Sequence, residues 1–475
     1  MLKPGLSCAM LLASIAAISN ARAAPRNCAV DAVETHHSAQ IGSRRIEYVA
    51  CVGTLPVRNL EGEAHGRIVY TAYIVPGRSA RPLSFVWNGG PGADSRTLQF
   101  HAVGPRILKD GVLVDNAATP LGISDLVFVD PVGTGFSRAD TPEHATAFYG
   151  TNADIASVAG FVRDFRVGYG RETSALNLVG ESFGTWRASG VAETLVNEGI
   201  RVDGVAMISG GIPLGDEARS DRRRAVSMVN RTATAFALGR LAPDLQRDEA
   251  KTLAEADRWA KTVYAPALSN PAALNDASRA SVVAALARYQ GLDPKTIDAK
   301  TLWISPREFR TRLLASEGKT LGIFDMRQTS AASEGGDGKI VLDYYRRTLG
   351  YTQGSYAGID APDAGVGNDW QYDQSPITKE SLARAMAGEG PPSASQPWIQ
   401  RAMTKAPRLR VWVAAGLYDS LNSCIGNTLT VGGLPIALAS RFTLKCYAGG
   451  HMMYQDPRQT GIFGHDLAAF LENRA

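Results

Sequence analysis

Short apolar runs alternate with helical patterns along most of this 475-residue chain, and this alternation limits the folds open to it. Residues 125–130 (DLVFVD) and 175–179 (ALNLV) suit strands that are buried on both faces. Similar strand patterns lie at residues 67–74, 82–86, 205–208, 410–414 and 441–447. Helical patterns lie between them, as at residues 151–165. Strands that alternate with helices predict an α/β fold with a largely parallel sheet covered on both sides.

The composition narrows the class of protein further. Hydrophobic residues make up 45% of the chain and charged residues 20%, as in an ordinary globular protein. These values exclude a mostly disordered chain, a collagen-like repeat and a small disulfide-rich domain. The formal net charge is only +4, so the charge balance predicts no nucleic-acid partner.

The first 23 residues have the pattern of a secretory signal peptide. Lys3 supplies the positive start, residues 6–18 form an apolar run, and Ala21 and Ala23 give the small-x-small pattern before a cleavage site. The apolar run is short for a membrane span of about 20 residues, so we expect no stable membrane insertion. A buried first helix or a membrane anchor is the alternative interpretation. Cleavage after Ala23 predicts a periplasmic or secreted protein.

The cysteines agree with an oxidising compartment. Cys8 lies in the predicted signal peptide, which leaves Cys28, Cys51, Cys424 and Cys446 in the mature chain. Four cysteines allow three pairings. We favour Cys28–Cys51 and Cys424–Cys446, because each pair closes a short loop at one end of the chain. The sequence has no CxxC motif and no histidine spaced beside these cysteines, so we expect disulfides rather than a metal site or free thiols.

The pattern changes between residues 215 and 373. Helical spacing at residues 248–268 and 278–289 is followed by Gly/Ser/Asp-rich loops, and strand-like runs resume only later. We interpret residues 215–373 as a mainly helical cap inserted into a core formed by residues 24–214 and 374–475. An independent domain is the alternative.

The central motif is residues 180–184, GESFG, a G-x-S-x-G sequence that directly follows a predicted strand and precedes a helix. The two glycines tolerate the sharp turn that exposes a serine hydroxyl in a nucleophile elbow. A serine needs a neighbouring base to become nucleophilic at ordinary pH. The motif therefore predicts Ser182 as a catalytic nucleophile with a base close by.

In this arrangement an acid and then a histidine follow the serine in chain order. His451 and His465 are the only histidines after Ser182. His451 lies in a loop just past a predicted strand, whereas His465 lies in the final helical pattern. We therefore predict His451 as the base.

The acid is expected at the end of a late strand. Asp419 follows the apolar run at residues 411–414, whereas Asp456 and Asp466 come after His451 and break the order. The glycine-rich segment 87–92, WNGGPG, also follows a strand, and there the backbone can aim N–H groups at a developing oxyanion. The predicted donors are the amides of Gly90 and Phe183. A plain Gly/Pro turn is the alternative.

Five motifs occur in one order along the chain: WNGGPG at 87–92, VDPVGTGFS at 129–137, GESFG at 180–184, GLYDSLNSCIGN at 416–427 and GGHMM at 449–453. Together they resemble the serine carboxypeptidase family, peptidase family S10, of the α/β-hydrolase fold. The resemblance runs from about residue 65 to 457 and covers the cap only weakly. Residues 324–327 and 372–376 resemble the bacterial branch of the family.

The resemblance implies roles for individual residues. Ser182 would be the nucleophile, His451 the acid/base and Asp419 its orienting partner. Gly90 and Phe183 would form the oxyanion hole. The family's contacts to the free C-terminal carboxylate of a peptide would fall on Asn88, Gly89 and Glu181.

The chain also departs from the family pattern. The family's second carboxylate-binding acid, in an E-x-G-P context, is replaced by Ala102. The tryptophan usually found two residues before Asn88 is Val86, and the cysteine common three residues past the catalytic acid is Asn422. These departures make the catalytic triad a safer prediction than strict carboxypeptidase specificity.

The sequence thus predicts an exported serine hydrolase that releases C-terminal residues from peptides through an acyl-enzyme. A peptide or a small acyl compound would be its substrate, and no metal or organic cofactor is expected. The alternatives are an esterase, an aminopeptidase or an acyltransferase on the same triad, or a non-catalytic scaffold. Three arginines at residues 222–224 open the cap. We interpret them as a charged helix face, with a role in binding an anionic substrate as the alternative.

Overall fold

The computed structural model describes residues 27–77, 81–215, 220–329 and 337–472. The strands are β1 (Val33–Ile41), β2 (Arg44–Val57), β3 (Gly66–Ile74), β4 (Leu83–Trp87), β5 (Arg106–Lys109), β6 (Val112–Asp115), β7 (Asp125–Val129), β8 (Arg138–Ala139), β9 (Leu176–Glu181), β10 (Gly204–Ile208), β11 (Arg410–Gly416) and β12 (Phe442–Tyr447). The predicted signal peptide, residues 1–23, lies outside the described residues.

The α-helices are α1 (Arg96–Leu98), α2 (Pro142–Ala145), α3 (Thr151–Gly168), α4 (Gly184–Asn197), α5 (Asp221–Val226), α6 (Met228–Ala237), α7 (Glu249–Trp259), α8 (Ala265–Ser269), α9 (Asp276–Gln290), α10 (Pro306–Arg312), α11 (Gly338–Asp343), α12 (Lys379–Met386), α13 (Trp398–Lys405), α14 (Cys424–Gly432), α15 (Ile436–Ala439) and α16 (Thr460–Leu471). Within the described ranges no helix combines the length and the apolar character needed to cross a membrane.

One large sheet organises the molecule, in the order β1-β2-β3-β7-β4-β9-β10-β11-β12, with β8 paired to β3. From β7 to β12 all neighbours are parallel, whereas β1, β2 and β3 add an antiparallel edge. This confirms the predicted α/β-hydrolase fold, with its mostly parallel sheet. All seven sequence-predicted strands are present. The long strands β1 and β2 are additional.

Two apolar layers cover the sheet because successive side chains of a strand point to opposite faces. Phe85 and Trp87 of β4 pack on the face covered by α3, α4 and α13, while Val86 packs on the face covered by α16. The central strands are therefore mostly apolar and buried on both faces. The predicted strand at residues 441–447 is not buried on both faces, because β12 is an edge strand and exposes Lys445 and Cys446.

The described residues between β10 and β11 contain helices and no strand longer than an isolated bridge. Residues 225–326 build an apolar cluster of their own, which includes Tyr264, Leu286 and Phe309. Residues 341–356 pack instead on the core, through the aromatic side chains of Tyr344, Tyr345 and Tyr356. Within the predicted cap range, residues 225–326 therefore form a separate apolar cluster, whereas residues 341–356 belong to the core.

Candidate active site

The turn between β9 and α4 holds Ser182 in a conformation that few side chains adopt. Its φ is +56°, in the left-handed region. A Cβ atom at Gly180 would lie 2.0 Å from the Gly184 carbonyl oxygen, so the chain can close this tightly only with glycine there. The Ser182 backbone N–H donates to the Ile208 carbonyl at 2.8 Å. This strained turn has the form of a nucleophile elbow.

The loop after β4 lies directly against this turn. A Cβ atom at Gly89 would lie 2.4 Å from the Phe183 nitrogen, and the Trp87 indole N–H donates to the Gly184 carbonyl at 3.0 Å. Gly90 has φ of +93°, which again favours glycine. Neither the Gly90 nor the Phe183 N–H donates to another described residue. Both amides are thus available to a ligand at this edge of the sheet.

Asp419 and His451 meet beyond the ends of β11 and β12. The His451 Nδ1 lies 2.8 Å from Asp419 Oδ2, and both side chains are buried. Asp419 Oδ1 also accepts from the Leu421 N–H at 2.8 Å, and Oδ2 accepts from the Asn422 amide at 3.1 Å. These contacts orient the carboxylate toward one ring nitrogen. The other ring nitrogen, Nε2, is left to act as a base.

The Ser182 hydroxyl makes no hydrogen bond to His451 among the described residues. The two residues nevertheless leave the sheet at the same edge, because β9 and β12 belong to the same parallel run. Catalytic hydrogen bonds are often long without substrate and tighten in the bound complex. The structure thus joins the predicted acid and base, and it places the predicted nucleophile at their edge of the sheet.

The charge state of His451 depends on opposing effects. Burial acts to lower the pKa of the imidazole, while the Asp419 carboxylate, its hydrogen bond and the nearby Glu181 raise it. The net effect is a pKa above the ordinary value of histidine. Protonated His451 is therefore stabilised, as is required of a base that holds a proton during a reaction.

A cap helix supports the loop that carries the acid, which the sequence did not indicate. The Asn230 amide of α6 donates to the Asn422 carbonyl at 2.9 Å and to the Asp419 carbonyl at 3.3 Å. Ser423 Oγ donates to Asn230 Oδ1 at 3.1 Å. No motif surrounds Asn230 in the sequence, because its partners lie about 190 residues away.

A second cap segment holds the base. The His451 N–H donates to the Phe324 carbonyl at 2.6 Å, and the two rings lie 5.2 Å apart. Ser209, which follows β10, donates its hydroxyl proton to the His451 carbonyl. Phe324 belongs to the segment that the sequence analysis linked to the bacterial branch, although no role was predicted for it.

Glu181, directly before the predicted nucleophile, is buried among polar donors. Tyr454 donates its hydroxyl proton to the Glu181 carboxylate, at 2.8 Å from Oε1 and 2.9 Å from Oε2, and the Asn88 amide also donates to Oε2. Burial raises the pKa of Glu181, whereas His451, Tyr454 and Asn88 act to lower it, with the result at about 7. The carboxyl group is thus balanced between its two charge states near neutral pH.

Sequence reasoning missed Tyr454, although it directly follows the GGHMM motif. The segment that contains Ala102, residues 99–103, packs against the segment that contains Tyr454, residues 453–455. The segment of Tyr454 therefore packs against the segment in which the family resemblance implies a second acid. The sequence did not predict this contact, because the two segments are more than 300 residues apart in the chain.

Both disulfide pairings favoured from the sequence are present. Cys28 is bonded to Cys51 on β2, and Cys424 at the start of α14 is bonded to Cys446 on β12, each with Cα atoms 5.5 Å apart. The second bond links the loop after Asp419 to the strand that leads to His451.

Comparisons with known proteins agree with the motifs. Residues 73–230 match the family model of the serine carboxypeptidases. The pheromone-processing carboxypeptidase KEX1 of Verticillium alfalfae is 43% identical over 63 residues, which span 13% of this chain and 10% of that protein. The predicted resemblance is confirmed for the matched residues, and the bacterial branch stays a prediction.

Several solved structures resemble the whole chain more distantly. The homoserine O-acetyltransferase of Staphylococcus aureus is 12% identical, with a TM-score of 0.39, and the alignment covers 88% of this chain and 95% of that one. A haloalkane dehalogenase variant from Bradyrhizobium elkanii is 14% identical, with a TM-score of 0.39, and the coverage is 89% and 97%. A proline iminopeptidase-related protein from Thermus thermophilus is 14% identical, with a TM-score of 0.34 and coverage of 88% and 97%.

Proposed function

We propose that this chain, which matches the serine carboxypeptidases over residues 73–230, is an exported serine peptidase that removes residues from the C-terminus of peptides. One observation carries the proposal: the buried pair of His451 and Asp419 lies at the sheet edge where Ser182 occupies a strained turn. A serine, an imidazole and a carboxylate that leave parallel strands at one edge form the arrangement used for acyl transfer.

The reaction begins with proton transfer from the Ser182 hydroxyl. His451 Nδ1–H donates to Asp419, so Nε2 carries the lone pair that accepts the serine proton as substrate binding brings the two together. The serine oxygen forms a bond to the scissile carbonyl carbon, and the π electrons of that carbonyl move to its oxygen. The free N–H groups of Gly90 and Phe183 stabilise the resulting oxyanion.

The tetrahedral intermediate then collapses. Protonated His451 gives its proton to the leaving nitrogen as the carbon–nitrogen bond breaks, and the acyl group remains on Ser182. Water attacks the acyl carbon as His451 takes its proton. The bond between the acyl carbon and the serine oxygen then breaks, His451 returns the proton to that oxygen, and the acid product leaves. Asp419 keeps its charge throughout and stabilises the imidazolium ion.

Restriction to the end of a peptide would come from Asn88, Gly89 and Glu181. A protonated Glu181 can donate a hydrogen bond to the C-terminal carboxylate of a peptide, whereas an ionised one repels it. With a pKa of about 7, Glu181 keeps its proton in acidic to neutral solution. The proposed carboxylate site is therefore functional mainly at and below neutral pH.

Export is part of the same proposal. The signal pattern at residues 1–23 and the two disulfides both fit an oxidising compartment such as the periplasm or the medium.

An esterase acting on small acyl compounds is the second candidate. The observation that favours it is the hydrogen bonding of Glu181, whose two oxygens already accept from Tyr454 and Asn88. A carboxyl group that is satisfied within the protein can serve to support the elbow alone. In that case the same triad would hydrolyse esters, and Glu181 would not bind a C-terminal carboxylate.

Labelling and product analysis test the proposal together. A fluorophosphonate should modify wild-type protein on Ser182 and leave Ser182→Ala unlabelled. A peptide library should yield products shortened at the C-terminus, detected when both ends of each product are sequenced. No labelling of folded wild-type protein would refute the serine hydrolase, and shortening from the N-terminus would refute the carboxypeptidase. Ester hydrolysis without peptide cleavage would favour the second candidate.

A further inference from the structure

A cavity of about 210 Å³ opens beside the catalytic acid. Its walls come from the core at Trp186 and residues 419–423, and from the cap at α5, α6 and Trp303. Trp186 packs on Phe183, whose amide is a proposed oxyanion donor, at 5.6 Å between ring centroids. A substrate bound at Ser182 would thus lie next to this cavity.

The charges on the cavity wall are unbalanced. The arginines that line it are Arg223, Arg224, Arg231 and Arg384. Among the described lining residues the only carboxylates are Glu389 and Asp419, and Asp419 is bound to His451. Among the described lining residues, cationic side chains therefore outnumber carboxylates, a balance that favours an anion.

Arg231 is the unusual member of this group. Its side chain is only 3% exposed, and its buried Nε and Nη2 atoms have no hydrogen-bond acceptor in the described part of the chain. Arg187 offers a comparison, since it is also buried but donates to Asp154 at 2.6 Å and to the Asn88 carbonyl at 2.7 Å. A buried guanidinium with two unsatisfied nitrogens is costly, so its presence needs an explanation.

Trp303 holds Arg231 in place, while the carboxylates of Glu389 and Glu308 act on its charge without accepting a hydrogen bond from its Nε or Nη2. Trp303 presents its ring to Arg224 and Arg231, with the guanidinium carbons 4.2 and 5.3 Å from the ring centroid. Glu389 accepts from the Trp303 indole at 2.7 Å and pairs with Arg224 at 3.3 Å. Glu389 is thus already bonded to Trp303 and Arg224, which leaves the Nε and Nη2 donors of Arg231 available to an external acceptor.

We propose that this cavity binds a carboxylate group of the substrate, with Arg231 as the central donor and Arg384 at the partly exposed wall. The inference rests on the proposed hydrolase function and adds a substrate class to it. Two sources of the carboxylate share this chemistry: an acidic side chain next to the scissile bond, and the C-terminal carboxylate itself, which would then bind here instead of at Asn88, Gly89 and Glu181. Planar guanidinium groups suit either, because their paired N–H donors match the two carboxylate oxygens.

Matched peptides separate the two sources. One pair differs only in Glu against Gln next to the scissile bond, and a second pair differs only in a free or an amidated C-terminus. For wild type we expect kcat/KM to favour the charged member of one pair by roughly ten- to hundredfold. Arg231→Met should remove that preference and leave the uncharged peptide unaffected. A Glu/Gln effect identifies an acidic side chain, and an effect of the C-terminus alone identifies the terminal carboxylate.

The matched control is Arg288→Met, which removes an exposed cap arginine that pairs with Asp244. This variant should keep the wild-type preference. Equal preferences in wild type and Arg231→Met would overturn the proposal. Because Arg231→Met deletes an unpaired buried charge and nearly preserves volume, its melting temperature should stay the same or rise. Should it nevertheless fail to fold, Arg384→Gln is the second variant and should reduce the preference in the same direction.

A binding experiment keeps this inference separate from the proposed activity. Calorimetric titration of glutarate into Ser182→Ala protein should show binding that is lost in the Ser182→Ala/Arg231→Met double variant. Glutarate binding with no fluorophosphonate labelling of wild type would refute the hydrolase and retain the anion site. Fluorophosphonate labelling of wild type without glutarate binding would refute the anion site and retain the hydrolase. Equal glutarate affinity in the Ser182→Ala and Ser182→Ala/Arg231→Met proteins would have the same meaning.

Discussion

Tyr454 donates its hydroxyl proton to the carboxylate of Glu181, at 2.8 and 2.9 Å from the two oxygens, beside the proposed nucleophile. Hydrogen bonds from Tyr454 and Asn88 favour the ionised carboxylate, and burial favours the neutral acid. The opposition leaves the pKa of Glu181 at about 7. The phenol therefore opposes the effect of burial on the pKa of this carboxyl group.

The first prediction concerns KM for peptides with a free C-terminus. As pH rises through about 7, Glu181 loses its proton and repels the substrate carboxylate, so KM should increase. Glu181→Gln supplies a permanent amide donor and should flatten this dependence. The measurement is KM against pH for one peptide and its C-terminal amide, with both proteins. Identical KM profiles for the free acid and the amide would show that Glu181 does not bind the C-terminal carboxylate of the peptide.

Tyr454→Phe should move the same transition. Loss of the phenol donor leaves burial less opposed, so the pKa of Glu181 should rise and the increase in KM should occur at higher pH. Tyr447→Phe is the matched control, because the Tyr447 hydroxyl donates to Asp466 rather than to Glu181. An unchanged midpoint in Tyr454→Phe, with correct folding, would contradict the proposed tuning.

Glu181 should also make stability depend on pH. Its folded-state pKa of about 7 lies above the ordinary value of a glutamate, so between these values the folded state keeps a proton that the unfolded state has lost. The contribution of Glu181 to the free energy of unfolding should therefore fall as pH rises through that window. Glu181→Gln should show a flatter stability profile in urea titrations at pH 4, 5.5 and 7.5. Parallel profiles for both proteins would contradict the raised pKa.

The proposed triad predicts large and similar losses from two substitutions. Ser182→Ala and His451→Ala should each lower kcat by on the order of 10⁶, since members of a triad act as a unit. Asp419→Asn should cost roughly 10⁴, because the wrong imidazole tautomer is favoured. His465→Ala, which changes the exposed histidine of α16, should leave kcat unchanged. Near-normal turnover by folded Ser182→Ala would exclude the triad.

The two disulfides should differ in their effect on catalysis. Replacing both Cys424 and Cys446 by serine should lower stability by about 2–4 kcal/mol and also reduce kcat, because this bond links the loops of acid and base. The matched control replaces Cys28 and Cys51, which lie far from the site in sequence and should affect stability alone. Thermal unfolding and kcat of the two double variants provide the measurement. Equal kcat in both would argue against a positioning role.

Local patterns in the sequence determined the fold and the identity of the candidate triad. The five buried parallel strands before β12 are mostly apolar runs, as is typical of a sheet covered on both sides. The glycines around Ser182 indicated the strained turn, because its tight backbone leaves no room for a side chain at positions 180 and 184. Chain order then selected Asp419 and His451. The strand and turn signals each lie within a short stretch, and the order of the triad needs only the succession of such stretches along the chain.

Only the tertiary structure decided what surrounds these residues. Glu181 meets Tyr454 across 273 positions of the chain, and Asn230 of the cap reaches the carbonyl of Asp419 across 189. No sequence pattern distinguishes Arg231 from the other arginines of the cap. Only its packing shows that it is buried, with no acceptor for Nε and Nη2 in the described part of the chain. Such partners depend on how separate elements pack against one another, and the free energy of those contacts leaves no local pattern in the sequence. The strands and the elbow were therefore predictable, whereas the supporting contacts and the arginine-lined cavity were not.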